Sequence, residues 1–113
     1  MAVDKPEILQ GTLDLMVLKT LSVMGPLHGY GIARRIEQIS EELAINQGTI
    51  YASLARLMLK GWIEGKWGTS ENNRKAKFYY VTKTGHKQLK AEAENWERIS
   101  RIMGRVLSLA ERG

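Results

Sequence analysis

The chain has 113 residues, of which 43% are hydrophobic and 26% charged, with a net charge of +5; this composition fits one globular domain with its own core. It has no cysteine and only two histidines, which excludes a disulfide framework, a thiolate nucleophile and a Cys/His zinc cluster, so we expect no metal and no cofactor. It has no apolar run of about 18 residues and no signal-peptide core after Met1, so we expect a cytoplasmic protein without membrane contact.

Two helices are predicted at the start of the chain. Apolar residues recur at three- and four-residue spacing from Ile8 to Met24, which is typical of a helix that buries one face. Gly25–Pro26 ends this helix. A second, shorter amphipathic helix follows, marked by Ile32, Ile36 and Ile39, with Arg34 and Arg35 on its solvent side.

The third predicted helix has a small and polar outer face. Asn46 is a good N-cap, because its side-chain oxygen can accept a hydrogen bond from a backbone N–H in the first turn. Gly61 ends the helix, and its buried stripe consists of Ile50, Leu54, Leu57 and Met58. At about 100° per residue, the side chains opposite or beside that stripe are Gln47, Gly48, Thr49, Tyr51, Ala52, Ala55 and Arg56.

A two-stranded hairpin with a long tip is predicted next. Its strands are Trp62–Trp67 and Lys77–Val81, separated by the turn-prone Gly68–Asn73. Nine of the 17 Lys and Arg residues lie between residues 56 and 90, against Glu64 and Glu71 among the 12 acidic residues. Localised positive charge attracts polyanions, which indicates nucleic acid or an anionic membrane surface, although charge alone fits a solvated lysine-rich surface equally well.

The last predicted helix is long and carries an unpartnered apolar stripe. Thr82 can cap it, and it continues without proline to about Ala110, a length of roughly 42 Å at 1.5 Å per residue. That length exceeds a globule built from the preceding residues, so the helix should project from its own domain. The stripe predicts a homodimer interface made of Leu89, Trp96, Ile99, Ile102, Met103, Val106 and Leu109. The alternative is that the stripe folds back on its own domain.

This order of elements predicts a mainly α (α+β) fold. Three helices followed by a hairpin are typical of a winged helix-turn-helix domain with a two-stranded wing. We expect this DNA-binding domain to cover residues 1–82. A C-terminal dimerisation helix should cover residues 83–113.

Five segments occur in an order and spacing that is characteristic of one family: Leu9–Leu15 (LQGTLDL), Gly25–Ile32 (GPLHGYGI), Gly48–Tyr51 (GTIY), Trp67–Arg74 (WGTSENNR) and Tyr80–Gly85 (YVTKTG). Through them the chain resembles PadR-type bacterial transcriptional regulators, of the short kind with a single C-terminal helix. The resemblance implies a dimeric winged-helix repressor that binds an inverted-repeat operator in double-stranded DNA. It also implies that a small aromatic effector releases the DNA in some relatives. Ala52 stands where the family commonly has proline.

Candidate DNA contacts follow from both lines of reasoning. The third helix would enter the major groove and read bases or phosphates with Gln47, Gly48, Thr49, Tyr51, Ala52 and Arg56. The hairpin would position the protein on the backbone through Lys66, Arg74, Lys75 and Lys77. The alternatives are that Tyr51 only packs against the hairpin, that Thr49 only starts the helix, and that the hairpin cations are solvated surface charges.

Trp96 is the one candidate ligand contact. In a dimer interface it would form a wall of a flat slot for an aromatic compound, while an aromatic residue at helical spacing is more often plain interface core.

Two other function classes compete with DNA binding. The chain has no Gly-x-Ser-x-Gly elbow, no phosphate-binding Gly-Lys-Ser/Thr loop and no carboxylate pair beside a histidine, so we do not expect an enzyme. His28, in a glycine-rich turn, is predicted to be structural. The remaining alternative is a winged-helix module that binds protein or RNA without sequence-specific DNA binding.

Overall fold

The computed structural model describes residues 10–39, 41–42 and 45–110. Within these residues the chain forms four helices and two strands in the predicted order: α1 (Gln10–Met24), α2 (Gly29–Ile39), α3 (Gln47–Leu59), β1 (Ile63–Thr69), β2 (Lys75–Val81) and α4 (Lys83–Leu107). The predicted start of the first helix at Ile8 lies outside the described residues.

Two predicted boundaries differ from the structure. The hairpin tip is shorter than predicted, because the Ser70 backbone N–H donates to the Arg74 carbonyl over 2.8 Å and Asn73 adopts a φ of 58° that closes a tight turn. The last helix ends at Leu107 rather than near Ala110. There the Ser108 hydroxyl donates to the Arg105 carbonyl over 2.9 Å and so occupies an oxygen that a further helical turn would use.

One hydrophobic core joins all the elements. α1 is the central helix and contacts α2, α3, α4 and β2. The predicted buried stripes hold along most of each helix. Met24, Ile39 and Met58 are exposed because they lie in the last turns of α1, α2 and α3, beyond the core. The core consists of Leu13, Val17, Leu18, Leu21, Ile32, Ala33, Ile36, Ile50, Leu54, Leu57, Ile63, Tyr79 and Leu89.

The hairpin is attached to the helices by a short backbone pairing. β1 and β2 are antiparallel, with Ile63 opposite Val81 at one end and Thr69 opposite Lys75 at the other. Leu27, between α1 and α2, exchanges both backbone hydrogen bonds with Tyr79, at 3.2 and 2.9 Å. A two-stranded hairpin alone is marginal in water, and this pairing holds the wing against the start of α2.

The beginning of α4 is fixed to the end of α3. The Thr82 hydroxyl accepts from the Gly85 backbone N–H over 3.0 Å, as predicted for a cap, and donates to the Gly61 carbonyl over 2.7 Å. The Thr82 backbone N–H also donates to the Trp62 carbonyl over 2.9 Å. A Cβ at Gly85 would overlap that same carbonyl oxygen, so only glycine allows so close an approach.

The far half of α4 projects from the domain, as its length predicted. Every side chain from residue 94 to residue 107 of the helix is exposed. In the parts of the chain that the structure describes, α4 and the other helices lack the combined length and hydropathy of a membrane span.

Candidate nucleic-acid interface

The N-terminal end of α3 is capped as predicted. The Asn46 Oδ1 atom accepts from the Thr49 backbone N–H over 2.8 Å and from the Thr49 hydroxyl over 3.0 Å. Because this hydroxyl already donates to Asn46, it offers only lone pairs to an outside partner. The cap is satisfied within the protein, and no acidic residue occupies the first turn of α3. The positive end of the helix dipole therefore remains attractive to an anion.

The two faces of α3 are divided as the 100° spacing predicted. Ile50, Leu54 and Leu57 are buried beneath the helix. On the opposite side the exposed residues are Gln47, Gly48, Thr49, Tyr51, Ala52 and Ala55. This face carries small or hydrogen-bonding side chains, so another macromolecule can approach the helix backbone closely.

Tyr51 is seated against α2 and still reaches solvent. A Cβ at Gly29 would come within 2.7 to 2.9 Å of the Tyr51 ring atoms, so the glycine leaves room for the ring. The ring remains 47% exposed. Tyr51 thus packs against the first residue of α2 and remains partly open to solvent.

Arg56, one of the predicted DNA contacts, has a partner inside the protein. Its Nε donates to Asp14 Oδ2 over 3.0 Å and its Nη2 to Asp14 Oδ1 over 2.7 Å. The Ser53 hydroxyl donates to the same carboxylate over 2.6 Å. Asp14 is only 6% exposed, and its hydrogen bonds to the guanidinium raise the pKa of Arg56 above its ordinary value. This arrangement, the Asp14 clamp (Asp14, Ser53 and Arg56), fixes α3 on α1.

A sequence signal for the Asp14 clamp existed. Asp14 lies one residue after Leu13 and three before Val17, so helical spacing places a carboxylate on the buried face of α1. A buried carboxylate needs a cation or several donors. Its partner lies 42 residues later, and spacing within one helix does not identify so distant a residue.

The predicted wing cations lie on two faces of the hairpin. Lys66 is opposite Phe78, whereas Lys77 is opposite Trp67, so the alternation of strand residues places Lys66 on the other face from Lys75 and Lys77. Lys66, Arg74 and Lys75 are exposed, and Lys77 is partly buried. The structure therefore brings Lys75 and Lys77 together and leaves Lys66 apart.

The face with Lys75 and Lys77 borders a cleft that the sequence did not reveal. The cleft has a volume of about 1070 Å³ and lies between α2 and the wing. Its α2 wall includes Tyr30, Arg34 and Gln38, and its wing wall includes Trp67. We call this space the α2–wing cleft. His28 at its edge is structural, as predicted, because its Nδ1 accepts from the Gly31 backbone N–H over 3.0 Å.

The apolar stripe of α4 is exposed over most of its predicted length. About half of the surface of Trp96 (49%) and Met103 (52%) is open to solvent. The other exposed members are Ile99, Ile102, Val106 and Leu109, with Leu109 beyond the end of the helix. Leu89 is only 8% exposed and belongs to the core of its own chain, which corrects its predicted place in a dimer interface. Trp96, Ile99, Met103 and Leu107 line a shallow groove of about 390 Å³.

The sequence profile of the family described as "Transcriptional regulator PadR-like family" matches residues 17–91. The chain belongs to the PadR-like family. Three similar proteins illustrate the likeness. A transcriptional regulator from Clostridium thermocellum is 30% identical with a TM-score of 0.74, covering 85% of this chain and 90% of that one. A PadR-like transcriptional regulator from Bacillus cereus is 25% identical with a TM-score of 0.75, covering 89% and 96%. An uncharacterized protein of Lysinibacillus sphaericus is 28% identical over 100 residues, covering 88% of this chain and 91% of that protein.

These likenesses confirm two predictions made from the sequence. The resemblance to PadR-type regulators is correct, and so is the mainly α winged helix-turn-helix fold with a long C-terminal helix. Membership of the PadR-like family supports a general function in DNA-binding transcription regulation. Ala52 of this PadR-like protein is exposed in the first turns of α3.

Proposed function

We propose that this PadR-like protein is a repressor that binds an inverted-repeat operator as a homodimer. The observation that carries the proposal is the surface of α3: its N-terminal end is capped, free of acidic side chains and exposed, while its other face is fixed to α1. A helix of this kind fits the major groove with its first turns toward the bases. The Asp14 clamp would keep the reading surface rigid, which is the role we assign to Arg56.

Sequence reading is assigned to the first turns of α3. Gln47 can bond an adenine edge through its amide, and Ala52 can contact a thymine methyl. Thr49, whose hydroxyl donates to Asn46, can accept a hydrogen bond from an amino group of a base. Gly48 allows the DNA to approach the helix backbone closely, and Tyr51, which is partly exposed, can contact the DNA backbone.

Backbone contacts are assigned to the wing. Arg74 lies in the turn and Lys75 starts β2, so both side chains are at the end of the hairpin farthest from the core. Long cationic side chains at this place can follow a phosphate backbone and orient the protein without reading sequence. Lys77 would act from the same face as Lys75, and Lys66 from the opposite one.

Dimerisation is assigned to the far half of α4. Half-exposed Trp96, Ile99, Ile102, Met103 and Val106 form a continuous apolar row that the monomer does not cover. An exposed row of five large apolar side chains on a helix that projects from its domain is typical of a protein interface. Two copies joined along this row would carry two α3 surfaces related by a two-fold axis. Their half-sites would lie about 34–36 Å apart, or a multiple of one helical turn.

Effector binding is assigned to the groove beside Trp96. An indole ring, a thioether and aliphatic side chains suit a flat aromatic compound, and a second copy would close the groove from the other side. Titration of the protein with phenolic acids and planar cationic drugs tests this assignment through tryptophan fluorescence, with Trp96→Phe as the control. Quenching that Trp96→Phe abolishes, together with release of DNA, is the expected result. The assignment fails if no compound quenches the wild-type protein.

The decisive experiment for the proposed function is a selection from random duplexes on the purified protein. We expect a consensus with two-fold symmetry and half-sites on one face of the helix. Light scattering of the protein on its selected duplex should give two chains per site. A consensus without symmetry, equal binding of single-stranded RNA, or no enrichment of any duplex would overturn the proposal.

A further inference from the structure

The α2–wing cleft is a concave surface of about 1070 Å³, and the proposed function has used its wing wall and Tyr51 but not its α2 wall. One wall is the exposed side of α2 with Tyr30, Arg34 and Gln38, and the other is the inner face of the wing with Trp67 and Lys75. The two walls are far apart in sequence. The Leu27–Tyr79 backbone pairing holds them side by side.

The cleft has an excess of positive charge. Its lining contains one carboxylate, from Glu71, and five cationic side chains: Arg34, Arg35, Arg74, Lys75 and Lys77. Within the described residues the salt bridge of the chain is Arg56–Asp14, and none of these five takes part in one. Cations gathered around a concave surface repel one another and focus a positive potential into the space between them. An anionic occupant would relieve this repulsion.

Each wall also holds a cation against an aromatic ring. On α2, the Arg34 Nη1 donates to the Tyr30 hydroxyl over 3.4 Å, and its guanidinium carbon lies 5.9 Å from the centre of the Tyr30 ring. On the wing, the Lys75 ammonium lies 5.4 Å from the centre of the Trp67 ring. Such contacts restrain long side chains that would otherwise be mobile. The rings add flat, largely apolar surface beside the charges, and Trp67 is 61% exposed.

The cleft is continuous with the proposed reading surface. Tyr51 of α3 and Arg74 in the turn of the wing both line it. A polyanion placed on the N-terminal end of α3 therefore has a cationic path leading away from it. Charges on both walls and at the wing tip match an extended occupant with regularly repeated charge better than a small anion, which can contact only some of them. A DNA strand carries one negative charge about every 3.4 Å.

We propose that the α2–wing cleft holds one sugar–phosphate strand of the duplex whose major groove α3 enters. Arg34, oriented by Tyr30, contacts a phosphate from the α2 side, and Lys75, oriented by Trp67, contacts the same strand from the wing side. The Trp67 ring lies against deoxyribose. This inference rests on the proposed function and adds α2 residues that do not belong to the predicted DNA surface.

Salt dependence of binding measures the proposed contact directly. Each neutralised phosphate contributes about 0.9 to the slope of log binding constant against log salt concentration. We expect Arg34→Gln to lower that slope by about 0.9 on both the operator and a random duplex. The matched control is Lys19→Gln, which removes the same unit charge from an exposed position on α1 outside the cleft. The control should leave the slope unchanged.

The outcomes separate the two proposals. If the wild-type protein does not bind duplex DNA, the proposed function fails. If it binds its operator and Arg34→Gln has the same slope as Lys19→Gln, the cleft inference alone fails. Arg34 is exposed, so the variant should keep the wild-type unfolding temperature, and Tyr30→Phe offers a second variant that keeps the ring. Tyr30→Phe should weaken binding to both duplexes by a smaller factor than Arg34→Gln.

Uncharged methylphosphonate links placed one at a time in the operator identify the phosphate. The wild-type protein should lose affinity at a few links, and the loss at one of them should disappear in Arg34→Gln, because the two changes remove the same contact. Equal losses in both proteins at every link would overturn the inference. It would also be overturned if a mononucleotide or aromatic carboxylate quenched Trp67, displaced the duplex and lost this effect in Arg34→Gln, since the cleft would then be a small-anion site.

Discussion

The helices α3 and α4 are both amphipathic, but their exposed faces have opposite character. α3 exposes Gln47, Gly48, Thr49 and Ala52, which are small or hydrogen-bonding, above a fully buried apolar face. α4 exposes a row of large apolar side chains around Trp96 and Met103. In α3 the apolar face is buried within the monomer, and the exposed face offers backbone and polar groups to a charged partner. In α4 the exposed face is apolar, and its contact with water is unfavourable. A single chain thus carries one surface suited to DNA and one suited to another protein surface.

The largest expected effect comes from a substitution that tests whether the exposed apolar row of α4 forms a dimer interface. Met103→Lys should place a charge in the proposed interface of each copy and raise the dissociation constant of the dimer at least about 1000-fold, or about 4 kcal/mol. Sedimentation should then show monomer at micromolar concentration. Glu94→Lys, on the opposite side of α4, is the control and should leave the dimer intact. If both variants remain dimeric, or the wild-type protein is itself a monomer, the apolar row has another purpose.

The second prediction concerns how α3 is held on α1. Arg56→Met should leave the buried Asp14 carboxylate with only the Ser53 hydroxyl and lower the free energy of unfolding by about 3 kcal/mol. The double variant Asp14→Leu with Arg56→Met removes both charges and should recover most of that loss. Urea unfolding of the two variants measures the difference. No loss in Arg56→Met would mean that the Asp14 clamp does not fix the reading helix.

A third prediction separates reading from positioning. Gln47→Ala should reduce discrimination against one changed base pair by about 1–3 kcal/mol. Lys75→Ala should instead weaken binding to all duplexes and lower the salt slope by about 0.9. Titrations of the selected operator, a single-base variant and a random duplex distinguish the two. Equal effects of both substitutions on all three duplexes would remove the division between α3 and the wing.

The smallest expected effect concerns Tyr79 of β2, a buried tyrosine close to Tyr51 of α3. Burial, and secondarily the nearby Tyr51, raises the pKa of Tyr79 above its ordinary value of 10.0. Because the folded state favours the neutral phenol, the stability it gives is fully present below pH 10 and is lost as the pH rises through the raised pKa. Thermal unfolding between pH 8 and about 11 should therefore show an alkaline loss that Tyr79→Phe reduces. An identical alkaline loss in Tyr79→Phe would assign it to other groups.

The two helices also show what local sequence patterns can predict. The exposed faces of α3 and α4 follow from spacing within one helix, so periodicity alone places Gln47, Tyr51, Trp96 and Met103 correctly on exposed faces. The end of α4 differs from the prediction only because Ser108 bonds back to the helix. Such features depend on neighbours within a few residues.

The errors occur where contacts join distant segments. The Arg56–Asp14 pair is missing from the sequence analysis because Asp14 lies two helices earlier than Arg56. Leu89 continues the apolar stripe of α4, but the first turns of that helix pack on their own domain. One stripe with one periodicity is therefore buried in the core near Leu89 and exposed farther along the helix. The α2–wing cleft has no sequence signal because its two walls are brought together by contacts between distant segments, such as the Leu27–Tyr79 pairing.

The close packing of Gly85 against the Trp62 carbonyl fixes the direction in which α4 leaves the domain. α4 has 25 residues, so it is about 37 Å long, and a tilt of about 5° at its base moves its far end by about 3 Å. That displacement is close to the rise of one base pair. In the proposed dimer, whose copies meet at the far end of α4, the close approach of Gly85 to the Trp62 carbonyl would therefore influence the operator spacing that the dimer can span. A change at this position would select a different spacing while leaving every DNA-contacting side chain unaltered.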